Sequence, residues 1–413
     1  MADTLRGYHP RTMRDCWLDA SRQFPVLLLT GPRQVGKTTL LQHLAEQNRR
    51  YVTLDDPMSR ALASEDPALF LQRFEPPLLI DEIQYAPQLL PHIKMAADAR
   101  RTTGLFWLTG SQQFLAMRGI SETLAGRVGI LNLLGFSLRE RLGLTLDMPP
   151  FLPSPDRILA REASARKLSL KQVYEAIWKG SFPALIAGPA RNHDLFYSSY
   201  VQTYLQRDVR DLTQVGNEAG FLRFIKACAA RTGQLLNYSD LARDADVSVN
   251  TAKSWLSILQ ASFQVVLLQP FHRNLSKRLV KRPKLYFVDT GLCAYLAEWT
   301  SPETLEAGAM SGPILETFVF GELLKSWWHH GQQPRLYYYR DKDGVEIDFL
   351  FVQDDKAYPV EVKKSAAPGQ ESTKAFASLK HAGLDLASGA VLCFCKERMP
   401  LTDNLQLVPI GTL

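Results

Sequence analysis

Short apolar runs alternate with amphipathic stretches through the first third of the chain. Pro25-Val26-Leu27-Leu28-Leu29-Thr30 is continuous and apolar, the pattern of a strand covered on both faces. Leu78-Leu79-Ile80 and Gly104-Leu105-Phe106-Trp107-Leu108-Thr109 repeat it. Leu40-Leu41-Gln42-His43-Leu44-Ala45 opens a helix after the first run. Buried strands separated by helices predict a parallel α/β sheet.

The pattern changes after Glu140. Residues 142–155, with Pro149-Pro150 and Pro153, read as a linker or insertion. Helical spacing resumes over 170–178 and 195–212. In the second stretch Tyr197, Tyr200, Val201, Tyr204, Leu205 and Val209 form an aromatic stripe that reads as core. Arg207, Asp208, Arg210 and Asp211 read as ion-pairing residues. Residues 220–270 predict a winged helix-turn-helix. Its parts are a helix at 221–230, a short helix at 239–245 with Ser239 as N-cap, and a second helix from 249 capped by Ser248. A strand follows at 263–268. Toward the C-terminus the period becomes two. Leu336-Tyr337-Tyr338-Tyr339 and 345–351 predict paired strands around an Asp341-Lys342-Asp343-Gly344 turn, and 357–363 predict a third strand.

Composition adds bounds. The 413 residues allow two to four domains, and 46% hydrophobic with 22% charged residues is an ordinary globular balance. Five scattered cysteines lack zinc-finger or redox spacing, and no apolar run reaches membrane-spanning length. A cytosolic location with no membrane partner is the expectation. Net charge is +6, and its distribution matters more than its size. Between Phe271 and Lys284 lie Arg273, Lys277, Arg278, Lys281, Arg282 and Lys284 with no acid. With Lys253 on the second helix of the turn motif, they are candidate contacts to DNA phosphates.

Three pieces carry chemistry. The first strand runs into Gly31-Pro32-Arg33-Gln34-Val35-Gly36-Lys37-Thr38-Thr39. This is a G-x-x-x-x-G-K-T phosphate cradle between a strand and a helix. Its backbone N–H groups face phosphate, Lys37 reaches the β- and γ-phosphates, and Thr38 holds Mg²⁺ of a bound ATP. Asp81 and Glu82 end the second apolar run, Asp81 to orient Mg²⁺ and Glu82 to activate water. Ser111, after the third run, is a candidate contact to γ-phosphate or water. Arg127 is a candidate to stabilise the transferring phosphoryl group from a neighbouring subunit, which implies a homo-oligomer such as a ring. In the C-terminal region Asp348, Glu361 and Lys363 suggest two carboxylates that bind metal beside an amine. Glu361 and Lys363 stand two apart on one strand and so share a face.

The run T-G-P-R-Q-V-G-K-T-T at 30–39, L-L-I-D-E-I-Q at 78–84, L-T-G-S-Q at 108–112, L-A-G-R at 124–127 and Y-L-Q-R-D-V at 204–209 resemble the AAA-type ATPases of a prokaryotic family. In that family the ATPase precedes a region of unassigned function known as DUF4143. Together the patterns and the resemblance predict a P-loop NTPase sheet at 1–140, a helical connector at 141–219, a winged helix at 220–300 and a further α/β domain at 301–413. The D…E-x-K pattern of Asp348, Glu361 and Lys363 is similar to the core of restriction-endonuclease-like nucleases. There a preceding helix often adds an acid, for which Glu316 and Glu322 are the candidates. The expected activity is Mg²⁺-dependent ATP hydrolysis acting on or with DNA. The alternative is a nucleotide-switched binding protein whose nuclease-like domain does not cleave.

Overall fold

The computed structural model describes residues 8–111, 123–205, 218–273 and 282–413. It divides into two units. One comprises residues 1–136 with 261–263 and 328–332; the other comprises 137–260, 264–327 and 333–413.

The first unit is built on a five-stranded sheet. Its strands are β1 (Val26–Thr30), β2 (Arg50–Thr53), β3 (Leu78–Asp81), β4 (Phe106–Gly110) and β5 (Val128–Asn132), in the order β2-β3-β4-β1-β5. Every neighbouring pair is parallel. The three central strands are buried throughout while β2 and β5 are partly exposed. This is the apolar gradient that parallel sheets covered by helices require. Val26, Leu28, Ile80, Leu108, Ile93 and Phe70 meet in one core. The register Thr30↔Gly110 and Ile80↔Leu108 aligns the C-terminal ends of β1, β3 and β4 along one sheet edge. That edge is where parallel α/β sheets place ligands.

In the second unit the helix Glu218–Ala229 is followed by β6 (Gln234–Leu235), the helices Tyr238–Ala245 and Val249–Ala261, then β7 (Val265–Leu268) and β8 (Lys284–Phe287). These three strands pair antiparallel in the order β6-β8-β7. The expected N-cap Ser239 is corrected: Asn237 is the cap, its side chain accepting from the Ser239 N–H. Ser248 accepts from Thr251 N at 3.1 Å, as the pattern predicts. The chain after β7 does not leave the fold at once. Phe271 N donates to Tyr338 O at 2.6 Å and Tyr338 N donates to Gln269 O at 3.1 Å.

Tyr338 belongs to a second, mixed sheet of β9 (Leu336–Arg340), β10 (Glu346–Gln353), β11 (Lys356–Val362), β12 (Asp385–Leu386), β13 (Gly389–Cys393), β14 (Met399–Thr402) and β15 (Leu405–Pro409). Its order is β14-β15-β13-β11-β10-β9, with β12 beside β11. The eighteen-residue helix Ser311–Trp328 packs against it: Phe320 and Phe349 stack at 6.0 Å, and Trp327 and Phe351 at 5.8 Å. Of the two readings of 142–155, linker or insertion, the linker is corrected. Phe151 N donates to Ser326 Oγ at 2.7 Å, Trp327 Nε1 donates to Phe151 O, and Phe151 is fully buried. Prolines here fix a packed extended segment, because their missing N–H groups leave nothing unpaired. The aromatic stripe is core where it is described: Tyr197 and Tyr200 are buried, and Tyr197 OH donates to Asp289 Oδ1 at 2.8 Å. Val209 and the ion-pairing candidates Arg207, Asp208, Arg210 and Asp211 lie outside the described residues.

Candidate nucleotide site and a second carboxylate cluster

The loop after β1 folds as a cradle because two glycines permit it. Gly31 has φ +147°, and a Cβ there would stand 1.9 Å from Leu133 O. Gly36 has φ 90° and caps the helix Lys37–Leu44. Neither position accommodates an L side chain without strain. Arg11 braces the loop from outside. Its guanidinium donates to Val35 O at 2.9 Å and to Leu134 O at 2.7 Å. Lys37 is buried, and its ammonium donates to Gly31 O at 3.0 Å and Pro32 O at 2.8 Å. The charge therefore sits within the ring of loop backbone.

Thr38 and Asp81 meet at the same sheet edge. Thr38 Oγ1 donates to Asp81 Oδ1 at 2.7 Å. Thr109, at the end of β4, donates to the same carboxylate oxygen and accepts from Glu82 N at 3.0 Å. A hydroxyl and a carboxylate converging beside a phosphate cradle are hard oxygen donors of the kind Mg²⁺ takes. Glu82 has φ 59°, a left-handed conformation uncommon for a side-chain-bearing residue. Its Oε2 accepts from Ser111 Oγ at 3.0 Å and from Gln84 Nε2. Ser111 is thus brought to the candidate base.

Sequence reasoning missed four contributors: Arg11, Thr109, Gln84 and Asp55. Thr109 lies inside the quoted L-T-G-S-Q run and could have been taken from it. Asp55 carries no pattern; it reaches the site because β2 ends beside β3. Burial, then the charges of Glu82 and Asp81, push its carboxyl above the usual range. Tyr51 OH donates to Asp81 Oδ2 at 3.3 Å. Burial, then Asp81, pushes the Tyr51 phenol up to about 12.

Arg127 stands elsewhere. It precedes β5, and Val128 pairs with Val26 at the start of β1. The cradle follows Thr30 at the other end, so a five-residue strand of roughly 16 Å separates them. The guanidinium pairs with Asp98 at 2.5 Å. Arg127 does not serve the cradle of its own chain.

In the second unit the structure unites Asp348, Glu361 and Lys363 of the D…E-x-K set. Phe349 pairs with Val360 across β10 and β11, so Asp348 and Glu361 are cross-strand neighbours one step on. Asp348 Oδ2 accepts from Val362 N at 2.9 Å. Glu361 is 7% exposed; its Oε1 accepts from Lys363 Nζ at 2.7 Å. Burial, then Glu316 and Glu361, hold the Asp348 carboxyl well above its ordinary range. Burial raises Glu361 too, against the pull of Lys363. Glu316 joins this group, but Glu322 does not. The two are six apart on the same helix and point away from each other. Glu322 instead accepts from Leu138 N at 2.7 Å and from Lys325 at 2.9 Å.

Lys284 is corrected as a candidate phosphate contact. It is 3% exposed, and its Nζ lies 2.9 Å from Glu316 Oε1 and 2.5 Å from Glu346 Oε1. Its charge is spent inside the fold. Arg273 and Arg282 are exposed, and Arg273 Nη1 donates to Gly383 O at 3.4 Å. Lys253 is exposed and stands over the Tyr238 ring at 5.6 Å. Lys277, Arg278 and Lys281 lie outside the described residues. Among the described residues, no group of three or more His, Cys, Asp and Glu side chains is arranged to hold a metal. Nor, among them, is any helix long and apolar enough to cross a membrane.

Comparison with known proteins matches residues 23–142 to an AAA domain, 170–303 to a domain of unknown function (DUF8612) and 311–413 to a domain of unknown function (DUF4143). The chain is 29% identical over 392 residues to uncharacterized proteins of Mycobacterium tuberculosis and Mycobacterium bovis, covering 94% of this chain and 81% of theirs. Among solved structures it is similar to the Walker-type ATPase PABY2304 of Pyrococcus abyssi, at 15% identity and a TM-score of 0.42. That alignment covers 69% of this chain and 94% of the other. A DNA replication initiation factor aligns at 12% identity and a TM-score of 0.26, covering 60% of this chain and 86% of that one.

Proposed function

This chain joins a P-loop ATPase domain of the AAA type to a DUF4143 domain, and from that premise we propose that it couples Mg²⁺-dependent ATP hydrolysis to DNA binding. The observation that carries the ATPase half is the convergence of Lys37, Thr38, Asp81 and Glu82 on one sheet edge. The cradle N–H groups and Lys37 bind the phosphates. Thr38 and Asp81 would hold Mg²⁺, which neutralises charge building on the leaving phosphate oxygens. Glu82 takes a proton from the attacking water. Its bonds to Ser111 and Gln84 orient the carboxylate, and Thr109 fixes the backbone on which it stands. Arg127 lies at the opposite end of β1 from its own cradle, so any role it has in phosphoryl transfer would be on a second copy of the chain.

The DNA half rests on the helix–strand–helix–helix–strand–strand order among the described residues of 218–287, the order of a winged helix. The helix Val249–Ala261 presents Lys253, and the segment after β7 presents Arg273 and Arg282. DNA-stimulated phosphate release, lost on Lys37→Ala, tests the coupling.

A second reading keeps the ATPase but denies cleavage by the C-terminal domain: ATP occupancy controls docking on DNA or protein. The observation favouring it is the buried ammonium of Lys284 among the acids of that domain. DNA that stays intact in Mg²⁺ and Mn²⁺ while turnover proceeds supports this reading.

A further inference from the structure

The strand-borne acids of the C-terminal domain pose a charge problem. Glu316, Asp348 and Glu361 act on one another electrostatically, and Glu346 joins them through Lys284; partly buried like charges demand a counter-ion. Two kinds of counter-ion are available to such a cluster: a divalent metal from solution, or a cation of the chain. Lys284 supplies the second. It opens β8, and its side chain is almost wholly buried. Its Nζ bonds Glu316 Oε1 at 2.9 Å and Glu346 Oε1 at 2.5 Å, and Asp348 acts on it electrostatically. Tyr286, two residues on along β8 and therefore on the same strand face, donates its hydroxyl to the same Glu316 oxygen. Two of the bonds an acid could offer a metal are taken. On the other side Lys363 occupies Glu361 Oε1 and Val362 N occupies Asp348 Oδ2, while Glu361 Oε2 is buried with no hydrogen-bond partner, so the site's occupancy is carried by Lys284 and not by a full set of bonds.

We propose that Lys284 is the resident cation of this cluster, with Lys363 on Glu361 and Arg340 on Glu346 beside it, so that Glu316, Glu346, Asp348 and Glu361 hold the chain's own cations in the place of a divalent metal. The proposal rests on the non-cleaving reading above and supplies its mechanism. The domain keeps the residue types of a metal-dependent hydrolase but fills the cation position with its own side chain. An ammonium brings positive charge, yet it offers no coordination site to water or phosphate, so it cannot generate a metal hydroxide.

The test is Mn²⁺ titration of the full-length, nucleotide-free protein, followed by electron paramagnetic resonance. Asp348→Asn separates any C-terminal site from the P-loop. The wild type is expected to show no site sensitive to Asp348→Asn. Lys284→Met, which keeps length but removes charge, is expected to gain one, at least tenfold tighter than any wild-type binding there. Glu316→Gln added to that variant should abolish it, and Lys284→Arg should not create it. A wild-type Mn²⁺ site lost in Asp348→Asn overturns the proposal, and this arm needs no Lys284 variant to fold. A folded Lys284→Met with no new site also overturns it, while leaving the non-cleaving reading intact. Metal-dependent DNA cleavage by the wild type that Asp348→Asn removes defeats both.

Discussion

Thr38 Oγ1 donates to Asp81 Oδ1 across 2.7 Å, tying the first residue after the cradle lysine to the end of a strand that is not its sheet neighbour. β4 separates β1 from β3, yet Thr109 on β4 donates to the same Asp81 oxygen. A helix and a strand thus hold the carboxylate that ends a second strand. Thr38→Val should lower ATP turnover by a factor of 10 or more, on the order of 1.4 kcal/mol of transition-state stabilisation. Thr38→Ser should keep most of it. Steady-state phosphate release over a Mg²⁺ series checks this, with the loss appearing as a raised Mg²⁺ requirement.

Glu82→Gln should bind ATP and not turn it over. Removing a general base costs about 10²–10⁴-fold, and the amide keeps the bond from Ser111. Ser111→Ala should cost less, because Gln84 still holds the same oxygen. Fluorescent-nucleotide binding measured beside turnover separates the two effects. Equal loss of binding and turnover in Glu82→Gln would refute the role given to it.

Arg127 predicts complementation. Lys37→Ala lacks a working cradle but keeps Arg127; Arg127→Ala has the reverse defect. If Arg127 acts on a second copy, mixing the two inactive proteins should restore part of the turnover. The restored rate should rise with concentration. A mixture as inactive as its components contradicts the trans role.

The raised carboxyls of Asp348 and Glu361 give stability a pH slope. Their folded values lie above the unfolded ones, near 4. The folded state therefore holds protons that the unfolded chain has released. Their contribution falls as pH rises from the unfolded value through the folded ones. Lys284, raised above its ordinary value by Glu316 and its neighbours, contributes fully below the unfolded lysine value and is lost only at strongly alkaline pH. Lys284→Met should destabilise the second unit by about 3–5 kcal/mol at neutral pH, the cost of orphaning buried charge. The loss should shrink in acid, where the carboxyls are protonated. Calorimetric unfolding between pH 4 and 8 reads both.

What the sequence disclosed follows a physical division. The cradle was legible because glycine, lysine and threonine occur there at a spacing that one loop geometry demands. The strand ends bearing Asp81 and Ser111 were legible because buried parallel strands are continuous apolar runs. Asp348 and Glu361 were legible as neighbours because a hairpin fixes register. Lys284 was not. It sits in a run of cations, and such a run shows charge but not which member turns inward. Its partner Glu316 lies 32 positions away on a helix whose apolar content is nearly uniform. Asn237 displaced Ser239 as a cap for a similar reason: both are good caps, and where the helix begins decides between them. The proline-rich stretch at 142–155 misled because proline marks both loose and packed extended chain.

The most direct test is phosphate release by the purified protein in ATP and Mg²⁺, with and without duplex and single-stranded DNA, beside Lys37→Ala. The account predicts turnover that DNA stimulates several-fold, weakening as salt rises, with none in Lys37→Ala. Turnover that is abolished by Lys37→Ala yet indifferent to every DNA at low salt would contradict the coupling to DNA.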